Sequence, residues 1–292
     1  TSVDQLGHHL AAEMMFGNMN LIPIPDINRT DFWLIIGGNP LVSNGSLMTA
    51  PDFPKRMKAI RERGKVMVID PRRSETANKA DEHFFIKPGT DALFLWSLIH
   101  CFFAPVRQGE KKEKINLRHL TNHVKNLEII SEEAKKYTPE NTAKITGVSA
   151  ENTRRIAREF AAAERAVCYG RMGVSVQEFG GQCNWLIHVI NILTGNFDTD
   201  GGSMFASPAF ETIRPSQKGQ MKFNRWKSRV RGLPEHMGEL PSATLAEEIL
   251  TEGEGQIKAM FTCCGNPVLS TPNGKQVEKA LKKLEYMVSM DI

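Results

Sequence analysis

Two stretches of this 292-residue sequence share one plan. In the first, an apolar run Trp33–Ile36 enters Gly38-Asn39-Pro40, then a loop, a basic helical pattern, a second apolar run and Asp70. In the second, Ala259–Thr262 enters Gly265-Asn266-Pro267 and the same succession ends at Asp291. From Asn39 to Asp70 is 31 residues and from Asn266 to Asp291 is 25, so the copies differ by a modest loop change. Each predicts a β-turn-α-β unit with an acid closing its second strand. A glycine after the first strand lets backbone N–H groups approach a phosphate or a base, and an Asn can turn back on its own backbone to shape the loop. A carboxylate at the carboxyl end of the next strand stands where doubly wound sheets bind ligands, and it can accept hydrogen bonds from a ribose or a guanine edge. One Gly-Asn-Pro is ordinary turn chemistry. Two copies, each followed by an acid at the same place, point to two nucleotides or one symmetrical ligand. Neither copy carries the G-x-G-x-x-G of nicotinamide and flavin folds, and no G-x-x-x-x-G-K-[ST] occurs.

Around these copies, strand and helix patterns alternate, which predicts an α/β class with mainly parallel sheets, in two pseudo-symmetric Rossmann-like subdomains spanning 1–168 and 169–292. Strands are predicted at Phe32–Ile36, Val66–Ile69, Ala166–Tyr169, Ile257–Thr262 and Tyr286–Met290. Helices are predicted at Pro54–Arg63, Asp91–Phe103, Leu117–Tyr137, Ala150–Ala163, Gln182–Leu193, Leu245–Glu252 and Lys275–Leu284. The stretch from Asp198 to Pro241, rich in Gly, Pro and Ser, predicts a long irregular connection.

With 41% hydrophobic and 24% charged residues the chain can bury a substantial core, and its most apolar run, Ala92–Ala104, is too short to span a bilayer. A net charge of +4 implies no nucleic-acid partner. Seven of the basic residues fall between Arg214 and Arg231 with no acid among them, which reads as a solvated loop, or alternatively as an anion or partner surface, and predicts mobility. The five cysteines show neither C-x-x-C nor cluster spacing, so buried, reduced thiols and a reducing, cytoplasmic compartment are expected, with a periplasmic one left open. The chain reads as an excised segment.

The residues themselves resemble a known group. Asp31 to Pro40, Val68 to Ala77, Ile86 to Ala92, Tyr137 to Glu140, Ile145 to Val148, Gly170 to Gly173, Leu193 to Asn196 with Gly201-Gly202, and Gly265 to Leu269 are similar, in order, to consecutive motifs of the molybdopterin oxidoreductase superfamily. That group includes formate dehydrogenase, nitrate reductase and dimethyl sulfoxide reductase. The resemblance implies a central fragment of a catalytic subunit that performs two-electron redox chemistry on a small substrate and exchanges electrons with another subunit or domain. It implies molybdenum or tungsten held by a bis(molybdopterin guanine dinucleotide), any iron–sulfur cluster lying in a domain before this segment. Gly38, Asn39, Asp70, Arg72, Gly89 and Asp91 should hold one guanine dinucleotide, and Gly173, Gly265, Asn266 and Asp291 should approach the other. The family's metal ligand comes from a loop before the first strand, which makes Asp4 the candidate, Ser2 a second, and His8 and His9 proton relays. The rival readings make Asp4 a helix cap and the histidines solvated. Trp185 stands where the formate enzymes carry a catalytic arginine, which argues against formate oxidation. Two other functions remain open at this stage: a metal-free scaffold subunit of a respiratory complex, and a nicotinamide dehydrogenase.

Overall fold

The computed structural model describes residues 2–104, 115–207, 209 and 223–291. They divide into two compact units, Asp4–Lys218 and, joined with Thr1–Val3, Gly219–Ile292.

The larger unit is built on four parallel strands. These are β2 (Phe32–Ile36), β3 (Lys65–Ile69), β4 (Glu82–Phe84) and β5 (Ala166–Gly170), in spatial order β4-β3-β2-β5. A short pair, β1 (Ile24–Pro25) with β6 (Ser203–Met204), runs antiparallel beside them. β2 and β5 are buried along their whole length, as expected of strands covered on both faces. Alternate side chains go to opposite layers. Trp33, Ile35, Val66, Val68, Val167 and Tyr169 pack with Phe53, Met57 and Ile60 of helix α3 (Phe53–Arg63). Phe32, Leu34, Ile36, Met67, Ile69 and Cys168 pack with α5 (Asp91–Phe103), α8 (Ala150–Ala162) and α10 (Gly180–Leu193). Helix α1 (Leu6–Phe16) lies against α10. Three shorter helices are α2 (Pro40–Ser43), α4 (Glu75–Lys79) and α9 (Met172–Ser175).

Local chemistry sets the helix ends. Ser149 accepts a hydrogen bond from the Asn152 amide to open α8, and Thr138 accepts one from Asn141 to open α7 (Pro139–Thr146). The helix predicted over Leu117–Tyr137 is broken: only Leu127–Ala134 is α-helical (α6), because Asn126 takes a left-handed conformation (φ 61°) at its start.

The smaller unit holds a β-hairpin, β7 (Phe223–Lys227) with β8 (Pro234–His236), inside the stretch expected to be irregular. It continues through α11 (Leu245–Leu250), β9 (Ala259–Cys263), α12 (Pro267–Ser270), α13 (Gly274–Leu281) and β10 (Tyr286–Met290). β9 and β10 pair in parallel, over a small core of Ala246, Ile249, Val277 and Ala280.

Two sequence expectations are corrected. The division between units falls at Lys218/Gly219 rather than at 168/169, because β5 hydrogen-bonds to β2 and completes the first sheet. The basic stretch is not a free loop where it is described. Arg225 pairs with the buried Glu235, Arg229 with Glu248 at 3.5 Å and Arg231 with Glu247 at 2.7 Å, so acids within the same unit neutralise and hold it. Arg214, Lys218 and Lys222 lie outside the described residues.

Candidate cofactor site

Both Gly-Asn-Pro turns leave the carboxyl ends of parallel strands, and their local geometry coincides. Gly37 and Cys264 hold the same place with φ of 57° and 53°. The Gly37 amide donates to Ile69 O at 3.0 Å, and the Cys264 amide to Met290 O at 2.8 Å. Asn39 and Asn266 each occupy the N-cap of a four-residue helix opened by proline, α2 and α12. The next helix starts after a left-handed residue in both copies, Asp52 (φ 51°) and Asn273 (φ 58°). Asp70 and Asp291 follow the last residues of β3 and β10. The plan legible in the sequence is therefore a plan of backbone conformation as well.

In the larger unit the turn is packed to the limit. Gly173 donates its amide to Gly37 O at 2.9 Å, and a Cβ on either glycine would come within 2.8 Å of the other's backbone. A Cβ on Gly38 would meet Ile35 and the Cβ of Arg171. The side chain of Asn39 does not fold back on its own turn, as expected; it donates to Glu75 at 2.7 Å and accepts from the Thr76 hydroxyl at 2.8 Å, tying the turn to α4. Asn266 does fold back, accepting from the Val268 amide at 3.0 Å.

Asp70 is half-buried at the end of β3, where desolvation raises its pKa although the Arg72 amide donates to it at 2.8 Å. Arg72 is exposed and lies 3.4 Å from Glu75. Asp91, in the first turn of α5 after the left-handed Gly89 (φ 79°), is buried, and desolvation raises its pKa too. Gln177 donates to Asp91 at 2.9 Å and to Gly173 O at 3.0 Å, which links the two predicted positions. The structure thus gathers Gly38, Asn39, Asp70, Arg72, Gly89, Asp91 and Gly173 in one unit. Gly173 had been grouped with Gly265, Asn266 and Asp291; those three lie in the smaller unit, with Asn266 and Asp291 exposed.

The N-terminal segment differs from expectation. Helix α1 begins at Leu6 with Gln5 at its N-cap, so Asp4 caps nothing. Its carboxylate is partly exposed and stands 3.7 Å from Nη2 of Arg171. Ser2 accepts from the Ser242 amide at 3.0 Å, within the smaller unit. His8 and His9 are buried, not solvated. His8 lies 3.1 Å from Gly170 O through Nε2 and 2.8 Å from the Ser175 hydroxyl through Nδ1, and burial holds its pKa down to about 4. The ring is thus bonded at both nitrogens and ties the Ser175 hydroxyl to the Gly170 carbonyl. His9 holds Met19 O at 2.7 Å. Trp185 packs on Trp96 in the core (centroids 6.4 Å apart).

Sequence reading passed over Arg171. Its side chain is nine-tenths buried beside the first turn; Nη2 donates to the Ser46 hydroxyl at 2.6 Å, while Nε and Nη1 have no hydrogen-bond partner. A buried guanidinium left half-satisfied is costly unless an anion completes it. The available signal was an arginine inside a glycine turn directly after a buried strand. Among the described residues no three His, Cys, Asp or Glu side chains converge as a metal site. A separate cavity of about 340 Å³, lined by Ile24, Asp26, Arg29 and Arg56 among others, shares no residue with this cluster. Among the described residues no helix is long and apolar enough to cross a membrane. Of the cysteines, Cys101, Cys168 and Cys183 are buried as expected, and Cys263 and Cys264 are exposed.

The sequence model of the molybdopterin oxidoreductase family matches residues 3–292. The chain belongs to that family. It is 30% identical over 288 residues to the F420-dependent formate dehydrogenase subunit alpha of Methanocaldococcus jannaschii, covering 92% of this chain and 40% of that one. It is 27% identical over 285 residues to the periplasmic nitrate reductase of Desulfovibrio desulfuricans, covering 90% and 37%. Among solved structures, acetylene hydratase from Pelobacter acetylenicus superposes with a TM-score of 0.72 at 19% identity, over 98% of this chain and 41% of that one. The chain therefore spans about two-fifths of the length of these relatives.

Proposed function

We propose that this chain is the central cofactor-binding part of an enzyme carrying molybdenum or tungsten on a bis(molybdopterin guanine dinucleotide) and performing two-electron redox chemistry on a small substrate. The observation that carries the reading is the duplicated turn, with the same positive-φ residue, the same amide-to-carbonyl bond and the same strand-end acid in both units. Each copy would hold one guanine dinucleotide. In the larger unit the close-packed glycines bring backbone N–H groups to the ligand, Asp70 accepts from the guanine edge, and Arg72 and Asp91 flank it, with Gly89 letting the chain turn into α5. In the smaller unit Gly265, Asn266 and Asp291 repeat the arrangement. The buried, half-satisfied guanidinium of Arg171 suits an anionic ligand beside the first turn.

When bound, the metal supplies the electron-pair chemistry. Asp4 would give it an oxygen donor, which suits a hard, high-valent ion. Arg171, with Nη2 3.7 Å away, stands beside the Asp4 carboxylate as its counter-charge. His8 and Ser175 fix the backbone at Gly170 that carries Arg171. Electrons would pass to or from a partner subunit or domain.

Metal and guanine analysis of the full-length protein tests the reading. Two guanine nucleotides per metal are expected, and Asp70→Asn should lower both contents while the fold survives. A parent with neither metal nor guanine would be a scaffold, and unchanged contents in Asp70→Asn would remove the guanine role of that residue.

A further inference from the structure

We infer that Cys263 and Cys264, at the end of β9, form a two-thiolate site for a soft, thiophilic ion. Both thiols are exposed, whereas Cys101, Cys168 and Cys183 are buried. The two sulfurs stand 3.6 Å apart. Sulfurs bound at about 2.3 Å to one tetrahedral centre are about 3.8 Å apart, so the pair already has the separation of a chelate. Direct closure to a disulfide fits less well. Neighbouring Cα atoms are about 3.8 Å apart across a trans peptide, below the roughly 4.4–6.8 Å of ordinary disulfides. The backbone holds the pair in place: Cys263 is in register with Met290 in the parallel pairing of β9 with β10, and the Cys264 amide donates to Met290 O at 2.8 Å.

Cys264 stands where the first copy of the turn has Gly37, in the same left-handed conformation, φ 53° against 57°. Glycine takes that conformation freely, and a residue with a Cβ is strained in it. Strain kept at a position that glycine would satisfy points to a use for the side chain. Among the described residues no third His, Cys, Asp or Glu converges on the pair. The chain therefore offers two donors, where a structural zinc site closes with four. An open site of two thiolates suits a soft centre that needs two sulfurs and brings its own remaining group, as a trivalent organic arsenical does. With an arsenoxide, two As–S bonds form, the As–O bond breaks, and its oxygen leaves as water with the two thiol protons; arsenic stays trivalent. The buried thiols do not compete, because desolvation raises the pKa of Cys168 and pushes that of Cys183 up to about 12.

The test uses the full-length protein, as purified and again after removal of any cofactor, with phenylarsine oxide as the probe. Occupancy is read as protection of each thiol from N-ethylmaleimide, peptide by peptide. Without the arsenical, both Cys263 and Cys264 should be alkylated in the cofactor-free form. With it, both should be protected, and a dithiol should reverse the protection where a monothiol at the same concentration does not. In Cys263→Ser and Cys264→Ser the remaining thiol should be alkylated despite the arsenical, its affinity falling at least about 100-fold as the second attachment is lost. Cys264→Gly, which restores the residue found at position 37 and relieves the backbone, is the safer variant for folding and should lose the site in the same way. The inference is overturned if neither form of the wild type is protected by the arsenical, if the two thiols resist alkylation in both forms without it, or if the thiol left in a single variant is protected as well as the pair.

Discussion

His188 lies on α10 with its ring against Phe16 (5.2 Å) and Phe197 (6.4 Å), and neither ring nitrogen has a hydrogen-bond partner. Burial pushes its pKa down to about 3, and that of His8 down to about 4. Both folded values lie below the ordinary 6.5, so the unfolded chain binds more protons than the folded one between those limits. Stability from the neutral rings is complete above about pH 6.5 and declines as pH falls toward 4, by up to about 1.4 kcal/mol per pH unit for each histidine. Urea unfolding at pH 7, 5.5 and 4.5 should show this decline, and His188→Leu should flatten it; an equal slope in that variant would refute the assignment. At this scale the sequence said little. A histidine in a helical pattern reads alike whether it faces water or Phe16, and burial of His8, His9 and Arg171 depends on residues far along the chain.

At the scale of elements, the sequence was far more informative. Strands β2 and β3 were legible because unbroken apolar runs closed by glycine or aspartate have few other uses in a chain of this composition. Gly64 was legible as the end of α3. The structure supplies a reason for a glycine there: a Cβ would lie 1.8 Å from Asp31 O, the same carbonyl that accepts from the Lys65 amide as β3 begins. Gly64→Ala should therefore destabilise the larger unit by about 1–3 kcal/mol, read as a lowered thermal midpoint. A neutral outcome would mean that the helix-to-strand corner is freer than its geometry implies. The hairpin β7–β8 escaped sequence reading because β7 is exposed along its length and is held by Arg225 reaching Glu235, not by an apolar pattern.

Across the whole molecule the two units carry unequal cores. The larger buries both faces of its sheet under large side chains such as Trp33, Phe53, Phe94 and Phe160. The smaller encloses chiefly Ala246, Ile249, Val277 and Ala280 and leaves Phe261, Tyr286 and Met290 more than half exposed. Opening free energy follows buried apolar contact, so backbone amides of β9 and β10 should exchange with deuterium well before those of β2, β3 and β5. Equal protection in the two sheets would contradict this ranking.

The sequence by itself determined the α/β class, the duplicated strand–turn–helix–strand plan and the family, because these rest on local periodicity, glycine and proline chemistry and motif order. Only the tertiary structure decided what those pieces meet. It placed β5 beside β2, set Gly173 against Gly37, turned Asn39 toward α4 and brought Arg171 to Asp4 and Ser46. Each of these is a contact across many residues of chain, fixed by which faces must be buried together, and no local pattern carries that information.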